Sequence, residues 1–340
     1  MESTTMLYQT DGRVARITLN RPERGNGLVP PLIADLVRCV EQANLDPAVH
    51  VIALSGAGKG FCGGYDLKAS AEELLGLADT EDLTDAARRA KAATADPGRA
   101  ASTARDDLES GAPAGSPLDP RVVARNHEPS GVWDSMLDYQ MMSRNVRSFM
   151  SLFHSDKPVV CKVHGFCVGG GTDLALCSDL LVIAEEAKIG YPPARVWGTP
   201  TTMLWALRIG FERAKRLLLT GDCLSGREAY EWGLACECAP ATALDERFES
   251  LLQRIARMPL NQLIMHKLLV NQSMLAMLGP TQVLGTVFDG IARHTKEGYA
   301  FQQRATEVGF RQAVRERDEP FGDPGPSTFK GTRSDRSERG

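Results

Sequence analysis

Two glycine-dense segments constrain this chain more than any other feature. One reads Gly60-Phe61-Cys62-Gly63-Gly64-Tyr65-Asp66-Leu67, the other Gly165-Phe166-Cys167-Val168-Gly169-Gly170-Gly171-Thr172-Asp173-Leu174. Each follows a short apolar, β-branched run, at 51–54 and 159–163, and each leads into an expected helix. Glycine at a strand-to-helix junction lets the backbone approach a ligand and aim N–H groups at it. Two such junctions imply two donors converging on one oxygen, the arrangement of an oxyanion hole. Tight turns between packed elements would use the same glycines. A Walker-type phosphate loop is excluded, because Lys59 is followed by Gly60 rather than Ser or Thr.

The remaining pattern predicts an α/β body. Residues 14–19 alternate like a strand, and Asn20-Arg21-Pro22 ends it. Pro30-Pro31 opens a helix with Leu32, Ile33, Leu36, Val37 and Val40 at helical spacing, and 49–54 is a buried strand. Strand, helix, strand with short connections predicts parallel pairing. Further strands are expected at 159–163 and 180–184, with short helices at 202–209, 212–219 and 227–232. Longer helices are expected at 138–153, 244–257 and 260–275, then a helical stretch over 282–317 interrupted around Gly290 and Gly298. A helix over 72–93 and a flexible Gly/Pro/Ser-rich run over 96–129 read as an insertion. The expected organisation is a core at 1–68 and 132–240, an inserted segment at 69–131, a helical region at 241–317 and a flexible tail at 318–340.

Bulk composition sets outer bounds. The chain has 340 residues, 43% of them hydrophobic, enough for one large domain with appendages or for two. A net charge of −4 gives no basic field for nucleic acid. No apolar run reaches the roughly 18 residues of a membrane span, and the N-terminus lacks a secretory pattern. Eight scattered cysteines fit reduced thiols and a cytoplasmic location. Cys236-Glu237-Cys238 has no second ligand pair, so no metal is expected.

The glycine segments, together with Ile17-Thr18-Leu19-Asn20-Arg21-Pro22, Lys157-Pro158, Ala187-Lys188-Ile189-Gly190-Tyr191-Pro192, Leu219-Thr220-Gly221-Asp222 and residues 229–234, resemble the crotonase (enoyl-CoA hydratase/isomerase) superfamily over about 10–68 and 135–315. The resemblance implies an α/β fold of repeated ββα units with a helical C-terminal trimerisation region. It implies an acyl-CoA thioester substrate, with coenzyme A part of the substrate and no separate cofactor. It implies self-association as a trimer or a dimer of trimers.

The family's oxyanion donors map onto the backbone N–H groups of Tyr65 and Gly170. Asp173, one helical turn after Gly170, takes the place of an acid/base glutamate of hydratases. The place of the second glutamate is Pro193, which has no proton to give. Arg195, Tyr191 or a residue of the insertion are the candidates to replace it. For coenzyme A the resemblance offers Arg24, Lys267, Phe288 and Lys296.

Hydration of an enoyl-CoA is the first expected reaction and double-bond isomerisation its nearest rival. A C–C hydrolase or decarboxylase, and a non-catalytic acyl-CoA binder or assembly subunit, are further alternatives on the same fold. Asp66 and His164 read as structural, Asp66 serving a helix start and His164 a strand end. Trp197, Trp205 and Trp232 read as packing residues by default.

Overall fold

The computed structural model describes residues 5–66 and 115–322. The expected helix at 72–93 lies outside these residues, as do most of the insertion and of the tail. A hairpin, β1 (Met6–Asp11) and β2 (Val14–Leu19), opens the chain and turns at Gly12, whose φ is +56°. It joins a six-stranded sheet with β3 (Val51–Gly56), β4 (Val159–Val163), β6 (Leu180–Ala184) and β9 (Glu237–Ala239). The order is β1-β2-β3-β4-β6-β9, and every pairing after the hairpin is parallel.

Parallel neighbours need crossovers that cover both faces of the sheet, so the strands read as continuous apolar runs. Val51, Ile52, Ala53 and Leu54 are all buried, as are Val159, Val160 and Cys161. Helix α1 (Pro30–Leu45) crosses from β2 to β3 and buries Leu32, Leu36, Cys39, Val40 and Ala43. A second, three-stranded sheet pairs β5 (Phe166–Val168) with β7 (Lys188–Gly190) in parallel, and β7 with β8 (Cys223–Ser225) antiparallel.

Helix α2 (Pro120–Asn126) forms inside the segment expected to be flexible. The Asp119 side chain caps it, accepting from Arg121 N at 2.9 Å and from Gly115 N at 2.7 Å. Helix α3 (Ser135–Phe153) follows, capped by Asp134. Shorter helices are α4 (Gly170–Leu176), α5 (Trp205–Ile209), α6 (Phe211–Leu218) and α7 (Gly226–Glu231), the last with a complete Ser225/Glu228 capping box.

The C-terminal part is helical: α8 (Leu244–Ala256), α9 (Leu260–Arg293), α10 (Lys296–Val308) and α11 (Phe310–Asp318). Two expectations change here. The breaks fall at His294-Thr295 and Gly309, not around Gly290 and Gly298. Gly290 stays helical because α9 lies against α3 there: a Cβ would lie 2.9 Å from Asp138 Cβ. Nor does the tail begin at residue 318, since Asp318 is buried and paired with Arg195.

Helix α9 is inverted relative to an ordinary amphipathic helix. Gly285, Thr286, Asp289 and Gly290 face inward, while Val283, Leu284, Phe288 and Ile291 are 40–52% exposed. Packing rather than burial of apolar surface holds its inner face.

Candidate active site

The two Gly-Phe-Cys segments pair with each other. Cys62 and Cys167 are register partners in a parallel bridge. Phe61 N and Cys62 N both donate to Phe166 O, at 2.9 and 3.2 Å, and Val168 N donates to Cys62 O at 3.1 Å. The contact requires glycine: at Gly165, with φ +59°, a Cβ would fall 1.9 Å from Lys59 O. Asn26, fully buried at φ +54°, secures the first segment from behind. Its Nδ2 donates to Ala57 O, Gly60 O and Phe61 O, and its Oδ1 accepts from Arg21 N.

Three residues past the paired cysteines stand Tyr65 in one segment and Gly170 in the other. Tyr65 is bridged to Leu28 through Leu28 N to Gly64 O (2.8 Å) and Asp66 N to Leu28 O (3.1 Å). In a parallel bridge of this kind the residue's own N–H points away from the partner strand. Gly170 opens α4, where the first N–H groups have no intrahelical acceptor. A Cβ on Gly64 would lie 3.5 Å from Gly170 N, so the two donors are neighbours. The helix dipole adds positive potential at Gly170.

Asp173 lies one turn along α4, 1% exposed. Its Oδ1 accepts from Thr202 N at 2.9 Å and from Thr202 Oγ1 at 2.8 Å. Burial pushes its carboxyl up to about 7, against the pull of the Thr202 bonds and with a further push from Asp289. Asp289 comes from α9. Its Oδ1 accepts from Thr199 N at 3.3 Å, and its Oδ2 lies 3.7 Å from Arg293. Burial raises its carboxyl too, opposed by the Arg293 charge. Tyr65 and Tyr191 complete the surround. Burial raises both phenols, and the charges of Asp173 and Asp289 add to the effect on each. Tyr65 Oη accepts from Asn145 Nδ2 at 3.3 Å, and Tyr191 Oη donates to Thr199 O at 2.8 Å.

The other candidates separate. Pro193 packs on the second glycine segment, its Cγ 3.1 Å from a Cβ placed on Gly169. Arg195 turns away into a buried ion-pair set with Asp222 (3.2 Å) and Asp318 (3.0 Å), which removes it as a replacement acid/base. Lys267 is also inside the protein. Its Nζ donates to Leu152 O and Lys157 O and pairs with Asp179 at 2.9 Å, so its hydrogens are engaged within the protein. Arg24 ends a 3₁₀ turn (Pro22–Arg24) next to the first segment. Phe288 and Lys296 are exposed.

Asp66 pairs with Arg21 at 2.9 Å, and His164 Nε2 lies 2.8 Å from Gly58 O, both structural roles. Trp205 is core, and Trp197 packs on Phe301. His127, Asp138 and His294 come within metal-ligand reach of one another. Asp138 Oδ2, however, already takes Trp133 Nε1 (2.7 Å), Asn126 Nδ2 (3.3 Å) and His294 Nε2 (3.0 Å), and Arg293 lies 3.5 Å from Oδ1. A divalent cation would sit against that guanidinium, so the residues fit a hydrogen-bond network rather than a metal site.

Sequence reading missed Asn26, Thr202 and Asp289. Only Asp289 left a trace, a polar stripe of Gln282, Thr286, Asp289 and Arg293 along the otherwise apolar stretch 282–293.

Paired strand–glycine–helix junctions beside a helical C-terminal region define a crotonase fold. The chain belongs to the enoyl-CoA hydratase/isomerase family, whose model matches residues 9–92 and 134–287. A solved enoyl-CoA hydratase from Mycobacterium smegmatis superposes with a TM-score of 0.80 at 49% identity, over 95% of this chain and 96% of that one. An (E)-benzylidenesuccinyl-CoA hydratase from Thauera aromatica is 28% identical over 74% of this chain and 76% of its own length. A 1,2-epoxyphenylacetyl-CoA isomerase from Escherichia coli is 27% identical over 75% and 77%. The protein is thus an enzyme of the hydratase/isomerase class.

Proposed function

We propose that this enzyme hydrates an enoyl-CoA thioester. The observation that carries this reading is the placement of two backbone donors, Tyr65 N–H and Gly170 N–H, beside the buried Asp173 carboxyl. Water adding to the β-carbon drives the π electrons toward the thioester carbonyl, whose oxygen gains negative charge. Preorganised donors there supply several kcal/mol, by analogy with other oxyanion sites. Asp173 moves the proton at the α-carbon, its carboxyl held near 7 where both protonation states are accessible. Coenzyme A enters as part of the substrate, with Arg24 beside the first segment and with Phe288 and Lys296 as its aromatic and basic contacts across a subunit boundary. The outward apolar face of α9 supports self-association as a trimer or a dimer of trimers.

Isomerisation is the second reading, favoured by Pro193, because one carboxyl can both remove and return a proton. The buried thiols of Cys39, Cys62, Cys161, Cys167 and Cys177 support a reducing cytoplasmic setting. The test is turnover of crotonyl-CoA and of a 3-enoyl-CoA series, wild type beside Asp173→Asn. Hydration of crotonyl-CoA that Asp173→Asn abolishes is expected. Conversion of 3-enoyl substrates alone would select the isomerase, and turnover indifferent to the substitution would remove Asp173 from the chemistry. Cleavage of a C–C bond, or tight thioester binding without turnover, would select the remaining alternatives.

A further inference from the structure

A hydratase needs two proton-transfer groups, and the position where this family's second carboxylate is expected holds Pro193. The structure brings another carboxylate to the same wall. A Cβ placed on Gly198 would lie 3.4 Å from Asp289 Oδ1, 3.6 Å from Pro193 Cβ and 3.8 Å from Tyr191 Oη. Asp289, Pro193 and Tyr191 therefore meet around one backbone position. Gly198 has φ +89° and places no side chain of its own there.

Helix α9 can reach this wall because of Gly285, one turn before Asp289, where a Cβ would strike Pro200 O at 2.9 Å. The same short connection holds both acids, Thr199 N on Asp289 and Thr202 on Asp173.

We propose that Asp289 is the second acid/base group of the site, replacing the acid absent at Pro193. This rests on the hydratase reading. Asp289 takes a proton from water as the water oxygen bonds to the β-carbon. The π pair shifts to the thioester oxygen held by Tyr65 and Gly170. The pair then returns to bond the α-carbon to the proton of Asp173. One water is consumed, and the proton left on Asp289 passes to solvent while Asp173 is reprotonated. The division of labour follows from charge: Arg293 lies 3.7 Å from Asp289 and favours its ionised form, whereas no cation pairs with Asp173 among the described residues. The groups facing Asp289 are Arg293 on its own helix, Asp138 on α3, His127 at the end of α2, and Tyr65, Tyr191 and Asp173 across the space.

Two reactions separate the roles: hydration of crotonyl-CoA, and deuterium exchange at the α-carbon of butyryl-CoA in heavy water. Asp289→Asn keeps an acceptor for Thr199 N. It is expected to lower hydration kcat about 10²- to 10³-fold, leave KM nearly unchanged, abolish the acidic limb of the pH profile and leave α-exchange intact. Asp289→Glu should restore part of the hydration. Asp173→Asn should lose both reactions. Asp289→Asn hydrating like wild type with the same pH profile would overturn the assignment while leaving the hydratase reading in place. Loss of α-exchange and of CoA binding in Asp289→Asn would overturn it in favour of a structural role. A wild type that does not hydrate crotonyl-CoA defeats the hydratase reading, and this assignment with it.

Discussion

Thr202 donates twice to one oxygen of Asp173, through its N–H at 2.9 Å and its hydroxyl at 2.8 Å. Both bonds favour the ionised carboxylate and oppose the effect of burial. The carboxyl near 7 is the balance of these two effects, and Thr202 is the adjustable side.

Replacing Thr202 with valine removes the hydroxyl and keeps the N–H. The ionised form loses a donor, so the Asp173 carboxyl should move upward from about 7 by about one pH unit. The pH dependence of α-proton exchange reads this directly. An unmoved profile would show that the hydroxyl does not act on the titrating group.

Burial gives the Asp173 carboxylate a stability cost. Its carboxyl is raised from 3.8 to about 7, so its contribution to stability is full below 3.8 and is lost as pH rises through 7. Asp173→Asn removes the ionisation. The variant should match wild type near pH 4 and exceed it increasingly up to pH 8, by at most about 4 kcal/mol. Denaturant melts across that range would check it, and an advantage that shrank with rising pH would refute it.

Lys267 offers a choice between a ligand contact and an internal support. Lys267→Met leaves Asp179, Leu152 O and Lys157 O without their shared donor. Stability should fall by about 3–5 kcal/mol with KM for the thioester unchanged in the folded fraction. A raised KM with an unaltered melting temperature would instead return Lys267 to the coenzyme A site.

The outward apolar face of α9 calls for a partner surface. Val283→Asp with Leu284→Asp should shift the sedimentation profile to smaller species without unfolding the chain, since both residues are more than half exposed. An unchanged profile would leave that face outside the interface.

The sequence made the glycine junctions, the parallel strands and Asp173 legible because each is a local pattern: β-branched run, glycine, helix. What it hid depends on chain segments meeting across long separations. Thr202 and Asp289 acquire their roles only when the 199–202 connection lies between α4 and α9. Arg195, a reasonable candidate by its position after Pro193, is drawn off by Asp222 and by Asp318 far along the chain. Gly290 resembled a helix breaker because nothing local reveals that Asp138 would occupy the space of its side chain.

The in-register pairing of Cys62 with Cys167 makes the donor pair a discrete property rather than a graded one. The chain leaves the bridge through Gly64 at φ +94°, so the direction of the Tyr65 N–H is set by a fixed count of residues from Cys62. One residue inserted or deleted between Cys62 and Tyr65 would carry that N–H away from its neighbour at Gly170. The acids nearby can therefore sit on loops or helices alike, but the pair of N–H groups cannot shift by a single step without being lost.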